Sequence, residues 1–256
     1  MAERLAFPYQ RIIEDLRSDI LSTRRQPGER LPSEHELAEQ YQTSRPTVRR
    51  AVAVLKAEGL VVTEQGKGAF VRPTPHVRLM VTGKNYRRHR RAGLSGFNAQ
   101  ALEQGQAPQQ EVLEVATISA PLEVSIRLNL DEGAPVVMRR RLFRLDGHPV
   151  AFCDSYYPAE LAEGTAIANI ENINGGVHAL IEDPAGPIRR LVARSVDDLV
   201  ARMPTPDELE GLGLPPGMPV VRVVRTIYDT DDNPLEVQDT VAAADRHTFR
   251  YEVSMR

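Results

Sequence analysis

Residues Leu31–Phe70 read LPSEHELAEQYQTSRPTVRRAVAVLKAEGLVVTEQGKGAF, and this stretch decides the fold of the first part of the chain. Ser33 followed by Glu36 forms a capping box, in which the serine hydroxyl accepts from an early helix N–H group and the glutamate reaches back to the cap. Ser44 is a second N-cap candidate, and Pro46 is tolerated in the first helical turn because no intrahelical N–H bond is lost there. The stretch therefore predicts two short helices joined by a tight turn.

The second predicted helix carries a basic face at its N-terminal end. Arg45 and Arg49 lie one turn apart, and Thr47 and Arg50 flank them. Arginines presented in this way can each donate two hydrogen bonds to guanine O6 and N7 in the DNA major groove. The alternative is a solvated basic helix on an ordinary three-helix domain. The turn chemistry that follows the helix favours the DNA-reading interpretation.

A small β-hairpin is predicted after this helix, with strands at Leu60–Glu64 and Ala69–Arg72. Gly66 and Gly68 at its tip let the backbone approach a phosphate or the minor-groove floor closely, and Lys67 between them supplies charge. Two helices joined by a turn and followed by such a hairpin predict a winged helix-turn-helix. Before the quoted stretch, apolar spacing predicts a supporting helix over Tyr9–Thr23.

These motifs resemble those of the GntR family of bacterial transcription regulators, whose pattern is roughly LPSE-x-x-LA, SR-x-TVR, EGL and G-K-G-x-FV. This chain carries them at Leu31–Glu34, Leu37-Ala38, Ser44-Arg45, Thr47–Arg49, Glu58–Leu60, Gly66–Gly68 and Phe70-Val71. His35 stands where the family very often has an arginine that touches DNA, so the contact there is expected to be weaker. The predicted DNA-binding residues are Ser33, Glu34, His35, Ser44, Arg45, Thr47, Arg49, Arg50, Gly66, Lys67 and Gly68.

Length and composition suit a two-domain protein of the reducing cytosol. The chain has 256 residues, 41% of them hydrophobic, which is enough for two modest cores. Its single cysteine, Cys153, excludes an intramolecular disulfide and any multi-cysteine zinc site. The first eight residues contain no signal-peptide core, and no apolar run approaches the roughly 18 residues of a membrane span. A cytoplasmic location without membrane attachment is expected.

Charge is distributed unevenly along the chain and indicates where the domains meet. Residues 1–72 hold 12 basic and 10 acidic side chains, residues 73–91 hold 6 and 0, and residues 92–256 hold 14 and 25. The split predicts a DNA-facing domain over 1–72, a basic linker over 73–93 and an acidic effector-binding and dimerisation domain over 94–256. The basic run Tyr86–Arg91 either contacts the phosphate backbone or forms a solvated tether.

The second half contains an internal near-repeat. The pattern L-x-L-x-x-G-x-P-V-V occurs at Leu128–Val137 and again at Leu212–Val221, and each copy reads as a helix, a loop and a β-hairpin. Two related hairpins predict an antiparallel sheet with helices on one face, so the fold class is α+β. The remaining predicted elements are a helix capped by Asn98 through Gln104, strands at Gln109–Ile118 and Ile188–Leu199, a helix from near Thr205, and a closing strand at Thr248–Met255.

Strand alternation places charged residues on the inner face of this sheet. Arg225 lies among apolar neighbours in one hairpin, and Arg139 and Arg141 share the matching face of the other. A buried arginine needs either an internal carboxylate or a bound anion. The two readings are evenly balanced for Arg225, and the ligand reading is favoured for Arg141. Glu236, Gln238 and Thr240 form either a pocket wall or plain surface.

The second half resembles the UTRA domain, the ligand-sensing domain of the HutC subfamily of GntR regulators, which shares its fold with chorismate lyase. The resemblance runs from about Leu94 to Phe249, through Gly96-Phe97, Ser155–Pro158, Pro234-x-Glu236 and Asp245-Arg246. In relatives that sense phosphorylated amino sugars, a helix N-terminus, an arginine pair and serines hold the phosphate, and a glutamate holds the sugar. Here Phe143 replaces one arginine and Cys153 one serine, so a smaller or more apolar effector is an equal alternative. The effector-binding residues implied are Phe97, Asn98, Ala99, Arg139, Arg141, Ser155, Tyr157, Arg225, Glu236 and Gln238.

Together these observations predict a transcription regulator, most simply a repressor that a small effector, either anionic or more apolar, releases from double-stranded DNA. A homodimer would place two winged helices on a pseudo-palindromic operator. Two alternatives stay open, namely a DNA-binding dimer whose second domain only dimerises, and a lyase-like enzyme. No catalytic residue, metal site or cofactor is expected. The lysines are Lys56, Lys67 and Lys84, so the second domain offers none for a pyridoxal-phosphate Schiff base.

Overall fold

Three helices and one β-hairpin form the first of two compact units. The computed structural model describes residues 8–64, 66–73, 79–81 and 95–251, with backbone alone for 79–81. Apolar side chains from all three helices and both strands meet in one core, which includes Ile12, Leu37, Val48, Leu55 and Val71. The elements are α1 (Pro8–Leu21), α2 (Glu34–Gln40), α3 (Arg45–Ala57), β1 (Val61–Glu64) and β2 (Gly68–Val71). The predicted helix-turn-helix and hairpin are confirmed.

Both predicted N-caps of this unit are present. The Ser33 hydroxyl accepts from the Glu36 N–H group at 3.2 Å, and the Glu36 carboxylate accepts from the Ser33 N–H group at 2.7 Å. Ser44 accepts from the N–H group of Thr47 at 3.4 Å and begins α3. These caps satisfy N–H groups that the first helical turn leaves unpaired, so they set where α2 and α3 begin.

An antiparallel six-stranded sheet forms the second unit, in the order β4-β5-β6-β9-β8-β7. The hairpins of the near-repeat, β5–β6 and β8–β9, lie at its centre and meet through β6 and β9. The strands are β3 (Leu79–Val81), β4 (Pro108–Ser119), β5 (Pro135–Leu145), β6 (His148–Pro158), β7 (Val192–Arg202), β8 (Val220–Asp229), β9 (Pro234–Ala243) and β10 (His247–Phe249). The helices are α4 (Gly96–Glu103), α5 (Leu122–Leu128), α6 (Ala159–Ala162), α7 (Val177–Ile181) and α8 (Pro206–Gly211), with a 3₁₀ turn at Ala166–Ala168.

The sheet is covered on both faces, so the expectation of helices on one face only is wrong. On one face, Val124 and Leu128 of α5 pack against Val136, Val224 and Val237. On the other face, Val137 and Tyr157 pack against side chains of α6, α7 and the 3₁₀ turn. The near-repeat predicted the hairpins correctly. The face of the sheet that each helix covers depends instead on contacts between residues far apart in the sequence.

Several element boundaries differ from the prediction. Ser95, not Asn98, caps α4, since its hydroxyl accepts from the Asn98 N–H group at 3.3 Å. The strand expected at Ile188–Leu199 lies at Val192–Arg202. Of the closing strand expected at Thr248–Met255, the described residues show β10 at His247–Phe249, which pairs in parallel with β3. Residues 252–256 and the basic run at 86–91 lie outside the described residues.

Candidate functional site

The N-terminal end of α3 is the exposed basic surface of the first unit. The side chains of Arg45 and Arg49 are 63% and 66% exposed. The hydroxyls of Ser44 and Thr47 lie 2.9 Å apart at the start of the same helix. The structure therefore brings together the four side chains that were predicted to meet DNA at this helix end.

Glu34 of α2 links the two arginines. Arg49 donates to its carboxylate from Nε at 2.9 Å and from Nη2 at 2.7 Å, and Arg45 lies 3.7 Å away. The hydrogen bonds from Arg49, together with the charges of both arginines, lower the pKa of the Glu34 carboxyl below its ordinary value. The Glu34 carboxylate thus holds the Arg49 side chain and orients the two arginines at the N-terminal end of α3.

The other predicted DNA-binding residues are placed less uniformly. The Arg50 guanidinium lies 4.3 Å from the centre of the Tyr9 ring, so it packs against α1. His35 of α2 lies 3.4 Å from Glu39, one turn further along the same helix. At the hairpin tip, Lys67 pairs with Glu64 at 2.9 Å. Gly66 and Gly68 have φ angles of 75° and 116°, which are left-handed conformations that favour glycine.

A cavity of about 230 Å³ lies in the second unit against one face of the sheet. Strands β5, β6, β8 and β9 supply its floor, and α4, the segment leading into α7, and β10 supply its walls. Seven of the ten predicted effector-binding residues line it: Phe97, Arg139, Arg141, Tyr157, Arg225, Glu236 and Gln238. Asn98, Ala99 and Ser155 are not among the lining residues, although Ser155 accepts a hydrogen bond from Arg141.

Strand register aligns the residues of the cavity floor in rows across the sheet. From one row to the next along β5, the rows change from polar to apolar. Arg139, Ser155, Gln238 and Arg225 are successive register partners across four strands. The next row begins with Arg141 opposite Cys153 and continues to Thr240. The third row is Phe143, Ala151 and Ala242, which with Phe97 and Phe249 form an apolar cluster at one end.

The three arginines of this floor have different partners. Arg225 donates to both carboxylate oxygens of Asp197, at 2.7 Å and 2.6 Å. Arg139 donates to backbone carbonyls, at 2.7 Å to Ile167 and 3.0 Å to Glu171, and also to that of Asn169. The internal-partner interpretation of Arg225 is therefore confirmed. Arg139 serves the loop beside the cavity, so its expected role as an effector ligand has no direct support.

Arg141 contacts neither a carboxylate nor a backbone carbonyl among the described residues. Arg139 also lacks a carboxylate partner, and its Nε is likewise buried without a hydrogen bond there, but its Nη atoms donate to carbonyls. Arg141 donates from Nη2 to the Ser155 hydroxyl and to the Cys153 sulfur at 3.3 Å. Its Nε is buried and has no hydrogen-bond partner within the described part of the chain. No carboxylate among the described residues lies within ion-pair distance of this guanidinium, although the residue is only 9% exposed. An unpaired buried cation facing a cavity is suited to an anion.

Glu236 anchors the polar end of the cavity. Its carboxylate accepts from the Tyr157 hydroxyl at 2.6 Å and from Gln238 Nε2 at 2.9 Å, and it lies 2.7 Å from His178 Nε2. Burial by itself raises the pKa of Glu236, but His178, the charge of Arg141 and the Tyr157 hydroxyl outweigh it and lower this pKa to about 2. Burial and the Glu236 charge raise the pKa of Tyr157 well above its ordinary value. The carboxylate is therefore ionised at neutral pH and the phenol is protonated.

Sequence reasoning missed His178 and the wall from β10, which contributes His247 and Phe249. The dipeptide Gly175-Gly176 before the short α7 was an available signal, because paired glycines allow a tight approach at the start of a helix. Period-two alternation from Glu236 to Gln238 also continues to Thr240 and Ala242, both of which line the cavity. No comparable local signal exists for β10.

Comparison with known proteins agrees with this architecture. The UTRA domain model matches residues 103–248, and the model of the gntR family of bacterial regulatory proteins matches residues 8–71. The HTH-type transcriptional regulator Rv0792c of Mycobacterium tuberculosis is 33% identical over 229 residues, which are 88% of this chain and 78% of that protein. The chain belongs to the GntR family and carries a UTRA domain.

Two further relatives support the same conclusion. The HTH-type transcriptional repressor NagR of Bacillus subtilis is 29% identical over 243 residues, covering 94% of this chain and 92% of that one. The crystal structure of a GntR-family transcriptional regulator matches with a TM-score of 0.70 at 27% identity, over 98% of both chains. A helix-turn-helix followed by a UTRA domain is the HutC subfamily arrangement predicted above.

The predicted family, fold class and general function are therefore confirmed. The chain is a DNA-binding transcription regulator and not an enzyme, and its UTRA domain senses an effector. No helix within the described residues is long and apolar enough to cross a membrane. The individual DNA-contacting and effector-contacting residues stay predictions.

Proposed function

We propose that this GntR regulator is a repressor that binds a pseudo-palindromic operator as a homodimer in the cytoplasm, and that a small anionic metabolite releases it. The proposal assigns residues 1–72 to DNA binding, 73–93 to a linker, and 94–256 to effector binding and dimerisation. The observation that carries it is Arg141, a buried cation that faces the cavity with no carboxylate partner among the described residues. The name of the related NagR protein, a transcriptional repressor, supports the sign of the response.

The DNA-binding half of the proposal rests on α3. Arg45 and Arg49 project from its first turns with about two thirds of each side chain exposed. The bond between Arg49 and Glu34 uses Nε and one N–H group of Nη2, which leaves Nη1 and the second N–H group of Nη2 to donate to guanine O6 and N7. Glu34 then acts as a positioning residue that holds Arg49 extended until it meets a base.

The regulatory half of the proposal requires unequal effector affinities. An effector shifts operator binding only if it binds the DNA-incompetent state more tightly than the DNA-competent state. The same coupling factor must appear when operator DNA is added to the effector complex, because linkage between two binding equilibria is reciprocal. A UTRA domain that only dimerised would show no such coupling, which separates the alternative function from this one.

Operator binding by variants tests the DNA-reading surface. Arg49→Ala is expected to lose about 1–3 kcal/mol of specific binding and to relax the preference for one base pair, because it removes a base contact. Lys67→Ala is expected to weaken binding to all sequences alike and to reduce the salt dependence, because it removes a phosphate contact. Fluorescence anisotropy with operator and scrambled duplexes at several salt concentrations measures both effects.

Lys56→Ala is the matched control for these variants. Lys56 lies at the C-terminal end of α3 and bonds Thr63 at 3.0 Å, away from the Arg45 and Arg49 end. Its operator affinity and salt dependence should stay close to those of the unmodified protein. Unchanged operator affinity in Arg49→Ala would show that α3 is not the reading helix.

A further inference from the structure

The two copies of the near-repeat differ at the strand that flanks each arginine. Arg225 on β8 and Arg141 on β5 occupy matching positions of the repeat. The register partner of Arg225 on its outer strand β7 is Asp197, whose two carboxylate oxygens accept from Nε and Nη2 of the guanidinium. The register partner of Arg141 on its outer strand β4 is Val112. The repeat therefore neutralises one of its two arginines and leaves the other charged.

The described charges around the cavity are not evenly matched. Arg139, Arg141 and Arg225 line it, and Glu236 is the carboxylate among the described lining residues. Asp197 pairs with Arg225, and Glu236 lies against Tyr157, His178 and Gln238, so neither carboxylate is within ion-pair distance of Arg141. Burial lowers the pKa of His247, the other histidine of the wall, so that this ring adds no charge at neutral pH. A buried cation without a counter-charge is costly, and an anionic group on the ligand would supply the partner that Arg141 lacks among the described residues.

The end of the cavity beyond Arg141 is aromatic. The rings of Phe97 and Phe143 lie 4.5 Å apart, centre to centre, and the Arg141 guanidinium lies 5.4 Å from the Phe143 ring. Ala151, Ala242 and Phe249 complete this end. A sugar hydroxyl placed there would lose its water and gain no hydrogen bond from these side chains. The surface next to the cation instead suits an apolar body.

The volume limits the size of the ligand. At about 230 Å³ the cavity is smaller than the roughly 300–1,000 Å³ of sites for drug-sized ligands. This volume has room for one charged group beside Arg141 and a single ring or a short branched chain against the phenylalanines.

We propose that the effector is a small monocarboxylate with an aromatic or branched aliphatic body. Its carboxylate binds the Arg141 guanidinium and its body lies among Phe97, Phe143 and Phe249. This assignment rests on the proposed function, in that it takes the cavity to be the effector site. A sugar phosphate is disfavoured, because its polar body would meet the aromatic end formed by Phe97, Phe143 and Phe249.

Isothermal titration of the full-length protein with three probes tests the ligand class. The probes are 3-phenylpropionate, its uncharged amide and glucose 6-phosphate. We expect 3-phenylpropionate to bind roughly 30-fold or more tightly than its amide, because the amide brings no negative charge to the buried guanidinium. Glucose 6-phosphate should bind more weakly than 3-phenylpropionate. This comparison uses the unmodified chain and depends on no variant.

Variants of neighbouring arginines locate the contact. Arg141→Met removes the cavity cation and should abolish the preference for the carboxylate over the amide. Arg140→Met is the matched control, because Arg140 lies next to it on β5 but pairs with Asp154 and is buried far less. Arg140→Met should keep the full preference. Arg141→Lys retains a charge and should keep part of it, which distinguishes loss of charge from loss of folding.

The outcomes separate the two proposals. Tighter binding of glucose 6-phosphate than of 3-phenylpropionate, equal binding of the acid and its amide, or no binding of 3-phenylpropionate each overturns the ligand class. Release of operator DNA by glucose 6-phosphate would overturn it too, while leaving the sensing role intact. Conversely, a protein that binds 3-phenylpropionate through Arg141 and keeps its operator affinity would retain the ligand class and lose the proposed function.

Discussion

Glu236 is the residue whose ionisation most clearly couples the cavity to stability. It is fully buried, and three side chains, Tyr157, His178 and Gln238, surround its carboxylate. The pKa of this carboxyl falls from an ordinary value of 4.5 to about 2 in the folded protein. A lowered folded-state pKa means that the folded protein favours the ionised form, so the unfolded chain takes up a proton first as the pH falls.

The stabilisation from ionised Glu236 is therefore fully present above about pH 4.5 and is lost as the pH falls towards about 2. Its upper size is about 3 kcal/mol, since each pKa unit corresponds to about 1.4 kcal/mol. Urea unfolding followed by circular dichroism at successive pH values measures this loss. Glu236→Gln should show a smaller fall in unfolding free energy on acidification than the unmodified chain.

Glu132→Gln is the control for this measurement, because Glu132 is an exposed carboxylate in the loop before β5. It should follow the pH dependence of the unmodified chain. If Glu236→Gln also follows that dependence, the cavity carboxylate contributes nothing to acid sensitivity.

The buried arginines show how far a sequence predicts a site. Period-two alternation correctly placed Arg139, Arg141 and Arg225 on one face of the sheet. It could not supply their partners, because Asp197 comes from a strand whose pairing is set by long-range register. The carbonyls that hold Arg139 belong to a loop with no sequence pattern. The face on which a strand side chain lies follows from the local sequence, whereas the partner that neutralises a buried arginine depends on which strands pair in the assembled sheet.

At the scale of elements, the start of α3 combines two roles that substitution can separate. The Ser44 hydroxyl caps the helix by accepting from Thr47, and the same hydroxyl is exposed where DNA is expected. Aspartate is as good an N-cap as serine, but its charge repels a phosphate. Alanine removes the cap at a cost of about 1 kcal/mol.

Ser44→Asp should therefore keep the stability of the first unit and lose operator affinity, whereas Ser44→Ala should lose about 1 kcal/mol of stability. Thermal unfolding and operator anisotropy measured on the same samples give the two readouts. Thr205→Asp is the control, because Thr205 caps α8 through its own capping box and belongs to no predicted DNA contact. Full operator affinity in Ser44→Asp would mean that the helix end does not meet a phosphate.

Elements differ in how well their sequence predicts them. Capped helices were predicted closely, since Ser33, Ser44 and Thr205 act on N–H groups three residues away. The N-cap of α4 was predicted three residues too late, at Asn98 instead of Ser95, because both residues are acceptable caps and local chemistry does not choose between them. The start of β10 was predicted to within one residue, but its parallel pairing with β3 was not, since β3 lies far away in the chain.

At the scale of the whole molecule, the near-repeat predicts the four central strands of the sheet but not the role of its edge strands, β4 and β7. Strand β7 is one edge, and most of its residues are exposed. Val196 and Val200 flank Asp198, which pairs with Arg127 of α5 on the outer face of the sheet. Ile126 of α5, 70% exposed, adds to this apolar surface. Exposed apolar surface at an unpaired edge is typical of an interface.

We therefore expect the proposed homodimer to form through β7 and α5, and an introduced charge there to break it. Val200→Asp should yield monomers by light scattering and weaken operator binding, because two half-sites are no longer held by one particle. Leu113→Asp makes the same change on β4, the opposite edge, where Leu113 is 43% exposed. It should stay dimeric with full operator affinity. Dissociation of Leu113→Asp but not of Val200→Asp would place the interface at β4. An edge that is not buried against a second copy tolerates a surface charge, so each variant should dissociate only if its own edge lies in the interface.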